Sequence, residues 1–423
     1  MAHLESRRLP NPKQNGIPHV GRFTWFPYYA GFSPVFVGAV FDELSCGARG
    51  AVCDPWNGAG TTTQAAFDRG IPSFGFDLNP AMTRVAIART AHPNDAVLLA
   101  MQHGDILLNA KRFRSRPDLS ADPLSNWFGC ALVRSVRYLS RAISEASVPD
   151  KARALFEAAV FRTMHRTLTS FRSSNPTWLR HASFPSDRVE RTQRQFFEEY
   201  DAQVRFMIDG LNAESGLTTG RGATSKIATA SSTNLPLPDC SIRLAVGSPP
   251  YCTRIDYAVA TSVELAYLGI DVHGNDRSFR HQMTGTSTIR ESIPSIKLGW
   301  GKTCNRFLRA VKGHPSKASE SYYLKTHLQY FHDLFLSLQE INRVLEPGGD
   351  GVLVIQDSFY KEVHNDLPRM VEEMVTNIGM RVVQREDFAV TLDMGRVNPR
   401  ANKKRLDKKP VESVIHFKKS GTR

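Results

Sequence analysis

Residues 51–63 read AVCDPWNGAGTTT: a short apolar run, then Asp54-Pro55, then Gly58 and Gly60 ahead of Thr61. The apolar run predicts a strand and the threonines open a helix, with the two glycines in the connecting turn. Glycine at that point permits a tight turn and lets backbone N–H groups and the helix N-terminus approach a ligand closely. By itself a Gly-x-Gly is a common turn. A second apolar stretch, Pro72 to Phe76, ends in Asp77, and an acid in that place can hold both hydroxyls of a ribose. Strand, glycine turn, helix, strand and acid together predict a nucleoside-binding βαβ unit.

Far downstream, Ser248-Pro249-Pro250-Tyr251 directly follows the apolar run Ile242 to Val246. Two prolines fix φ and remove two amide donors, so the turn offers carbonyl oxygens and a serine hydroxyl without competing N–H groups. The result is an acceptor-rich rim beside an aromatic ring, which suits a planar amino group on a base extruded from its stack. The plainer reading is a Pro-Pro pair that simply ends a strand.

Taken together, these residues resemble the amino-group-directed DNA methyltransferases that use S-adenosylmethionine. DPWNGAGTT (54–62) is similar to their cofactor loop, D-P-F-x-G-S-G-T-T, and SPPY (248–251) is similar to their catalytic motif. The resemblance implies a Rossmann-like methyltransferase sheet with helices on both faces. It implies S-adenosyl-L-methionine as cofactor, held by Asp54, Pro55, Asn57, Gly58, Gly60, Thr61 and Asp77, and catalysis by Ser248, Pro249, Pro250 and Tyr251. In that family a serine opening the turn is associated with cytosine N4, whereas Asp or Asn is more typical of adenine N6. The stretch WFPYYAGFSPVF (25–36) resembles the segment that lines the methionine end of the cofactor. ATASSTNLPLPDCSIRLAVGSPPY (228–251) resembles the third strand and the run into the turn, but Ser231 stands where an Asp is common. The adenine contact then falls to Ser232 or Asn234. Past the turn, Arg254, Asp256 and Tyr257 are in the place of base-pocket residues, and an Arg254–Asp256 ion pair is the structural alternative.

Composition agrees with a nucleic-acid enzyme. The chain has 423 residues, 54 Lys or Arg against 41 Asp or Glu, a net charge of +13 and a pI near 9.6. Such a balance points to a polyanionic partner. Between about 275 and 325 there are ten Lys or Arg against three acids, interleaved with Trp300, Phe307 and Tyr322, which predicts phosphate contact over a segment spanning 270–325. The Lys-rich cluster 403–409 is a second candidate. Cysteines at 46, 53, 130, 240, 252 and 304 form no C-x-x-C pair and no metal-ligand spacing, so reduced thiols, no metal and a cytoplasmic setting are expected. Cys252 reads as a buried small side chain, and the Pro-Cys motif of carbon-5 cytosine methylation is missing. No apolar run reaches membrane-spanning length, and no signal sequence precedes the first domain.

Two domains in three segments follow. Residues 1–105 form the first part of the methyltransferase domain with the cofactor loop. Residues 106–222 are Arg-rich, with apolar residues recurring every three and four positions, and read as an inserted helical domain that is a candidate for target recognition. Residues 223–423 form the second part, with the catalytic turn, a helix from Glu320 to Leu345 closed by Pro347-Gly348-Gly349, and a final hairpin in MRVVQREDFAV and VESVIHFK. The expected activity is site-specific methylation of cytosine N4 in DNA. Adenine-N6 methylation of DNA or amino-group methylation of RNA is the first alternative. A non-catalytic nucleic-acid-binding subunit, with a restriction or defence partner protein, is the second.

Overall fold

The computed structural model describes residues 10–13, 21–26, 31–44, 50–172, 179–214, 224–252, 256–274, 277–389 and 410–421. Among the described residues nine strands run in chain order: β1 (Val52–Asp54), β2 (Ser73–Asp77), β3 (Ser225–Thr229), β4 (Ile242–Gly247), β5 (Leu345–Gln356), β6 (Ser358–Tyr360), β7 (Val363–Asn365), β8 (Met380–Ala389) and β9 (Val411–Lys419). The described α-helices are α1 (Pro34–Glu43), α2 (Thr61–Asp68), α3 (Pro80–Arg89), α4 (Asp95–Arg112), α5 (Cys130–Glu145), α6 (Asp150–Thr167), α7 (Gln193–Ala213), α8 (Tyr257–Ala260), α9 (Ser262–Tyr267), α10 (Arg277–Gln282), α11 (Gly301–Lys312), α12 (Lys325–Val344) and α13 (Leu367–Asn377).

Seven strands form one sheet in the order β3-β2-β1-β4-β5-β9-β8, and β6 with β7 makes a separate hairpin. β1, β2, β3, β4 and β5 pair parallel, while β9 is antiparallel to both β5 and β8. The central strands are apolar on both faces, as a sheet covered on both sides requires. Val52, Leu244, Val246, Val352, Val354 and Val414 pack with α1 and α2 on one face. Their neighbours along the strands, Cys53, Ala245, Leu353, Ile355, Ile415 and Phe417, pack with α11, α12 and α13 on the other. Strand alternation sends successive side chains to opposite faces, so both layers come from the same short segments. The fold is therefore the expected Rossmann-like α/β sheet with helices on both faces, and the hairpin expected near the chain's far end is β8 with β9.

Helices α4, α5, α6 and α7 lie between α3 and β3 in the chain. Leu99, Ile106, Val136, Phe156, Phe161 and Tyr200 from this block share one continuous core with Met82 and Val85 of α3 and with Val263 and Leu265 of α9. Local sequence signals set the ends. Asn79 caps α3 by accepting from the Ala81 N–H at 3.0 Å, with Pro80 at the first helical position, and Thr192 and Gln195 form a reciprocal capping box on α7.

Two boundaries differ from expectation. α12 begins at Lys325, because Ala318 at φ 68° feeds a wide turn over Ser319–Leu324 before the regular helix. β5 begins at Leu345, so Pro347-Gly348-Gly349 lies inside the strand. Ile242 pairs with Leu345 but Leu244 pairs with Asp350, and the intervening residues loop out as a bulge with Gly348 at φ 75°.

Candidate active site

The strand order reverses between β1 and β4, and the crevice beyond the carboxyl ends of such strands is where open α/β sheets bind ligands. A cleft of about 850 Å³, counting its open mouth, lies there. Asp54, Pro55, Asn57, Gly58, Thr61, Asp77, Ser232, Ser248, Pro249, Pro250, Tyr251 and Tyr257 all line it. Two motifs almost two hundred residues apart in the chain thus share one cavity.

The remaining expected residues sit elsewhere. Gly60 lies beneath the turn at φ 85°, where a Cβ would come within 2.8 Å of the Ala86 Cβ and 2.9 Å of its Cα. It provides the left-handed bend and the close approach of α2 to α3. The N–H of Asn234 closes a turn on the Ser231 carbonyl at 3.1 Å, away from the cleft lining. Asp256 is buried, caps α8 through the Val259 N–H and is ion-paired with Arg280. Arg254 lies outside the described residues, as do Pro27 to Ala30 of the 25–36 segment and the 403–409 cluster. Phe32 and Gly31 from the end of that segment do line the cleft.

The wall formed by the glycine turn and the end of β2 is acidic. Asp54 accepts from the Trp56 N–H at 3.0 Å. Asp77 accepts from the Gly58 and Asn79 N–H groups, each at 2.8 Å. These bonds lock the turn to both strand ends. Burial pushes the Asp54 carboxyl up to about 7, with the Asp77 charge adding to the rise, and pushes Asp77 up to about 6. Among the described residues the lining contains no Lys, Arg or His. Two desolvated carboxyls in such a wall favour an occupant that brings positive charge and hydroxyl donors.

The other wall is the proline turn, and each of its polar groups has a defined task. The Ser248 hydroxyl donates to the Val354 carbonyl at 2.8 Å, so its lone pairs are left to accept. Tyr330 Oη donates to the Pro250 carbonyl at 2.9 Å. The Tyr251 N–H donates to Tyr257 Oη at 3.2 Å. Tyr251 Oη donates to Glu412 Oε1 at 2.8 Å. Cys252 is half-buried, and desolvation pushes its thiol up to about 12. Sequence reading missed Tyr330, Glu412, Met283 and Thr284. An acid inside the apolar run VESVIHF was the one available sign for Glu412, whereas Tyr330 looks like any apolar-face residue of an amphipathic helix.

Four of the ten basic residues of that stretch, Lys302, Arg306, Arg309 and Lys312, lie on α11, while Arg280 and Arg290 are ion-paired with Asp256 and Asp333. Lys302, Arg306 and Arg309 line a separate groove with Arg369 of α13. The five described cysteines, at 53, 130, 240, 252 and 304, are free, and no group of described side chains forms a metal site. No described helix is long and apolar enough to cross a membrane.

No family model matches this chain, and no curated protein matches it. Solved structures give distant likenesses. A SAM-dependent methyltransferase from Methanosarcina mazei is 9% identical over 88% of this chain and 93% of its own, with a TM-score of 0.32. An rRNA methyltransferase from Streptomyces viridochromogenes is 11% identical over 92% and 87%, with a TM-score of 0.27. A candidate DNA modification methylase from Thermus thermophilus is 14% identical over 27% and 51%, with a TM-score of 0.19. The fold assignment stands on the strand order and pairing described above.

Proposed function

We propose that this protein is an S-adenosylmethionine-dependent methyltransferase that modifies the exocyclic N4 amino group of cytosine in DNA. One observation carries the reading: an acidic nucleoside-type wall, Asp54 with Asp77, faces an acceptor-rich aromatic turn, Ser248 to Tyr251, across one cleft. The residues fit the cofactor. Asp77 retains lone pairs for a ribose diol beyond its two backbone bonds, Asp54 offers charge to a cationic group, and Asn57 to Thr61 form the cradle.

When bound, the cofactor supplies a methyl group made electrophilic by its sulfonium. The chain's own residues have three tasks. Ser248 Oγ accepts one amino N–H, since its own proton is committed to Val354. The Pro249 carbonyl accepts the other, because the Pro250 carbonyl is held by Tyr330. Together they turn the nitrogen lone pair out of conjugation and towards the methyl group. The Tyr251 ring stacks on the extruded base and offsets part of the few kcal/mol that unstacking costs. The amino proton leaves to solvent at the open mouth of the cleft after nitrogen has become positive, so Ser248 need only accept a hydrogen bond and no strong base is required. The helical block, taken as residues 106–222, and the basic groove on α11 are assigned to target recognition and phosphate contact, in a cytoplasmic enzyme.

Incubation with methyl-labelled cofactor and separate pools of duplex DNA, single-stranded DNA and RNA, followed by nucleoside analysis, tests this. Labelled N4-methyldeoxycytidine is expected. Labelled N6-methyladenine would move the target base, and label in RNA would move the substrate. No label in any pool, with intact cofactor binding, would overturn the enzyme reading in favour of a non-catalytic subunit. Tyr251→Ala should lower turnover by about a hundredfold or more with cofactor affinity nearly unchanged.

A further inference from the structure

The Tyr251 side chain spans from the cleft to the start of β9. Its ring lines the cleft while its hydroxyl donates to Glu412 Oε1 at 2.8 Å. Glu412 is the second residue of β9, and its side chain is only 2% exposed. The same oxygen is 3.1 Å from Lys13 Nζ, which also donates to Gln356 Oε1 at 3.1 Å and lies 5.4 Å from the Tyr251 ring centroid. The backbone beside Glu412 is itself pinned. The Val411 N–H donates to Asp357 Oδ1 at 2.7 Å, and the Asp357 N–H returns a bond to the Val411 carbonyl at 3.1 Å. Glu412 pairs across the sheet with Gln356 on one side and Phe388 on the other. A carboxylate buried this deeply is costly unless it is bonded, and here it is spent on one phenol and one ammonium.

We propose that Glu412 is a positioning residue that fixes the Tyr251 ring as the stacking wall for the planar substrate, an inference that rests on the methyltransferase reading for its catalytic consequence. A phenol free to rotate or withdraw would leave a wall that closes only part of the time, and small misplacements at a reacting centre cost large factors in rate. A charged acceptor also holds the phenol more firmly than a neutral one would. Burial and the neighbouring carboxylate push the Tyr251 phenol well up, so it keeps the proton it donates. Lys13 covers the pair from the outside with its ammonium over the ring.

The test uses the full-length protein carrying 3-fluorotyrosine, with the Tyr251 fluorine resonance assigned by its loss in Tyr251→Phe. Glu412→Leu removes the acceptor, and Glu412→Gln keeps an acceptor of the same shape. We expect the Tyr251 resonance to shift or broaden in Glu412→Leu and to return towards the wild-type position in Glu412→Gln. Turnover should fall about tenfold to a hundredfold in Glu412→Leu, recover partly in Glu412→Gln, and leave the cofactor Kd within about twofold. In a Tyr251→Phe background the Glu412→Leu change should add little, since the two residues act as one unit. An unchanged resonance in Glu412→Leu, or independent losses in the double variant, would overturn the inference. If the wild-type protein transfers no label to any nucleic acid while the resonance still moves, the tether stands and the methyltransferase reading falls.

Discussion

The buried guanidinium of Arg89, the last residue of α3, donates through Nη1 to the Ala59 carbonyl inside the glycine turn at 3.0 Å. Its Nη2 donates to the carbonyls of Phe23 and Phe26 at 2.8 and 2.6 Å. No carboxylate pairs with it among the described residues, and burial pushes it down to about 9. One side chain therefore ties the glycine turn, a sheet-flanking helix and the 22–26 segment into a single body.

Replacing that side chain tests the tie. Arg89→Met keeps the apolar stem but leaves three carbonyls short of a donor, and should lower unfolding stability by about 3 kcal/mol. Cofactor affinity should fall with it, while turnover at saturating cofactor changes little. Urea unfolding and calorimetric titration read the two effects separately.

The two raised carboxyls should make binding of the proposed cofactor pH-dependent. In the empty protein the folded state holds protons that the unfolded chain releases near its ordinary carboxylate value. The associated stability is present at low pH and is lost as pH rises through about 6 for Asp77 and about 7 for Asp54. A cationic ligand prefers the ionised carboxylates, so its binding follows the opposite course. The thermal shift on adding S-adenosylmethionine should grow between about pH 5 and pH 8 and then level off. Asp54→Asn should remove the upper part of that rise, and a shift that is flat across the range would contradict the assignment.

Gly60→Ala meets two obstacles at once, a φ of 85° and a Cβ 2.9 Å from the Ala86 Cα. It should lower the melting temperature, with a cost of about 2 kcal/mol, and weaken cofactor binding. Retention of full affinity would mean that the turn is not the cofactor cradle.

Tyr330→Phe removes the donor to the Pro250 carbonyl and nothing else of its packing. Because the freed carbonyl then competes with that of Pro249 for the amino group, turnover should fall about tenfold at unchanged cofactor affinity. Steady-state kinetics at saturating cofactor distinguishes this from simple loss of stability.

Much of this was legible in the sequence because it is local. AVCDPWNGAGTTT encodes strand, turn and helix within thirteen residues, and the apolar runs at Pro72–Phe76 and Ile242–Val246 are strands because both their faces are covered. What escaped notice is non-local. The bulge at Pro347-Gly348-Gly349 reads as a helix stop, since nothing in the stretch itself reveals that Leu345 already pairs with Ile242. Arg89 reads as one more helical arginine, and its burial against carbonyls from residues 23, 26 and 59 appears only once α3 is docked. Asn234 and Asp256 were singled out by position in a motif, yet their side-chain and backbone bonds face loop and helix ends away from the cleft wall.

β9 lies between β5 and β8, yet it follows both of them in the chain. Until residues 411–419 have left the ribosome, β5 and β8 each expose an unpaired edge, and a nascent chain must keep both from pairing with other strands. Completion of the sheet is therefore a late, long-range event in folding, and a nascent chain acquires its finished cleft only when that closing strand slides into place.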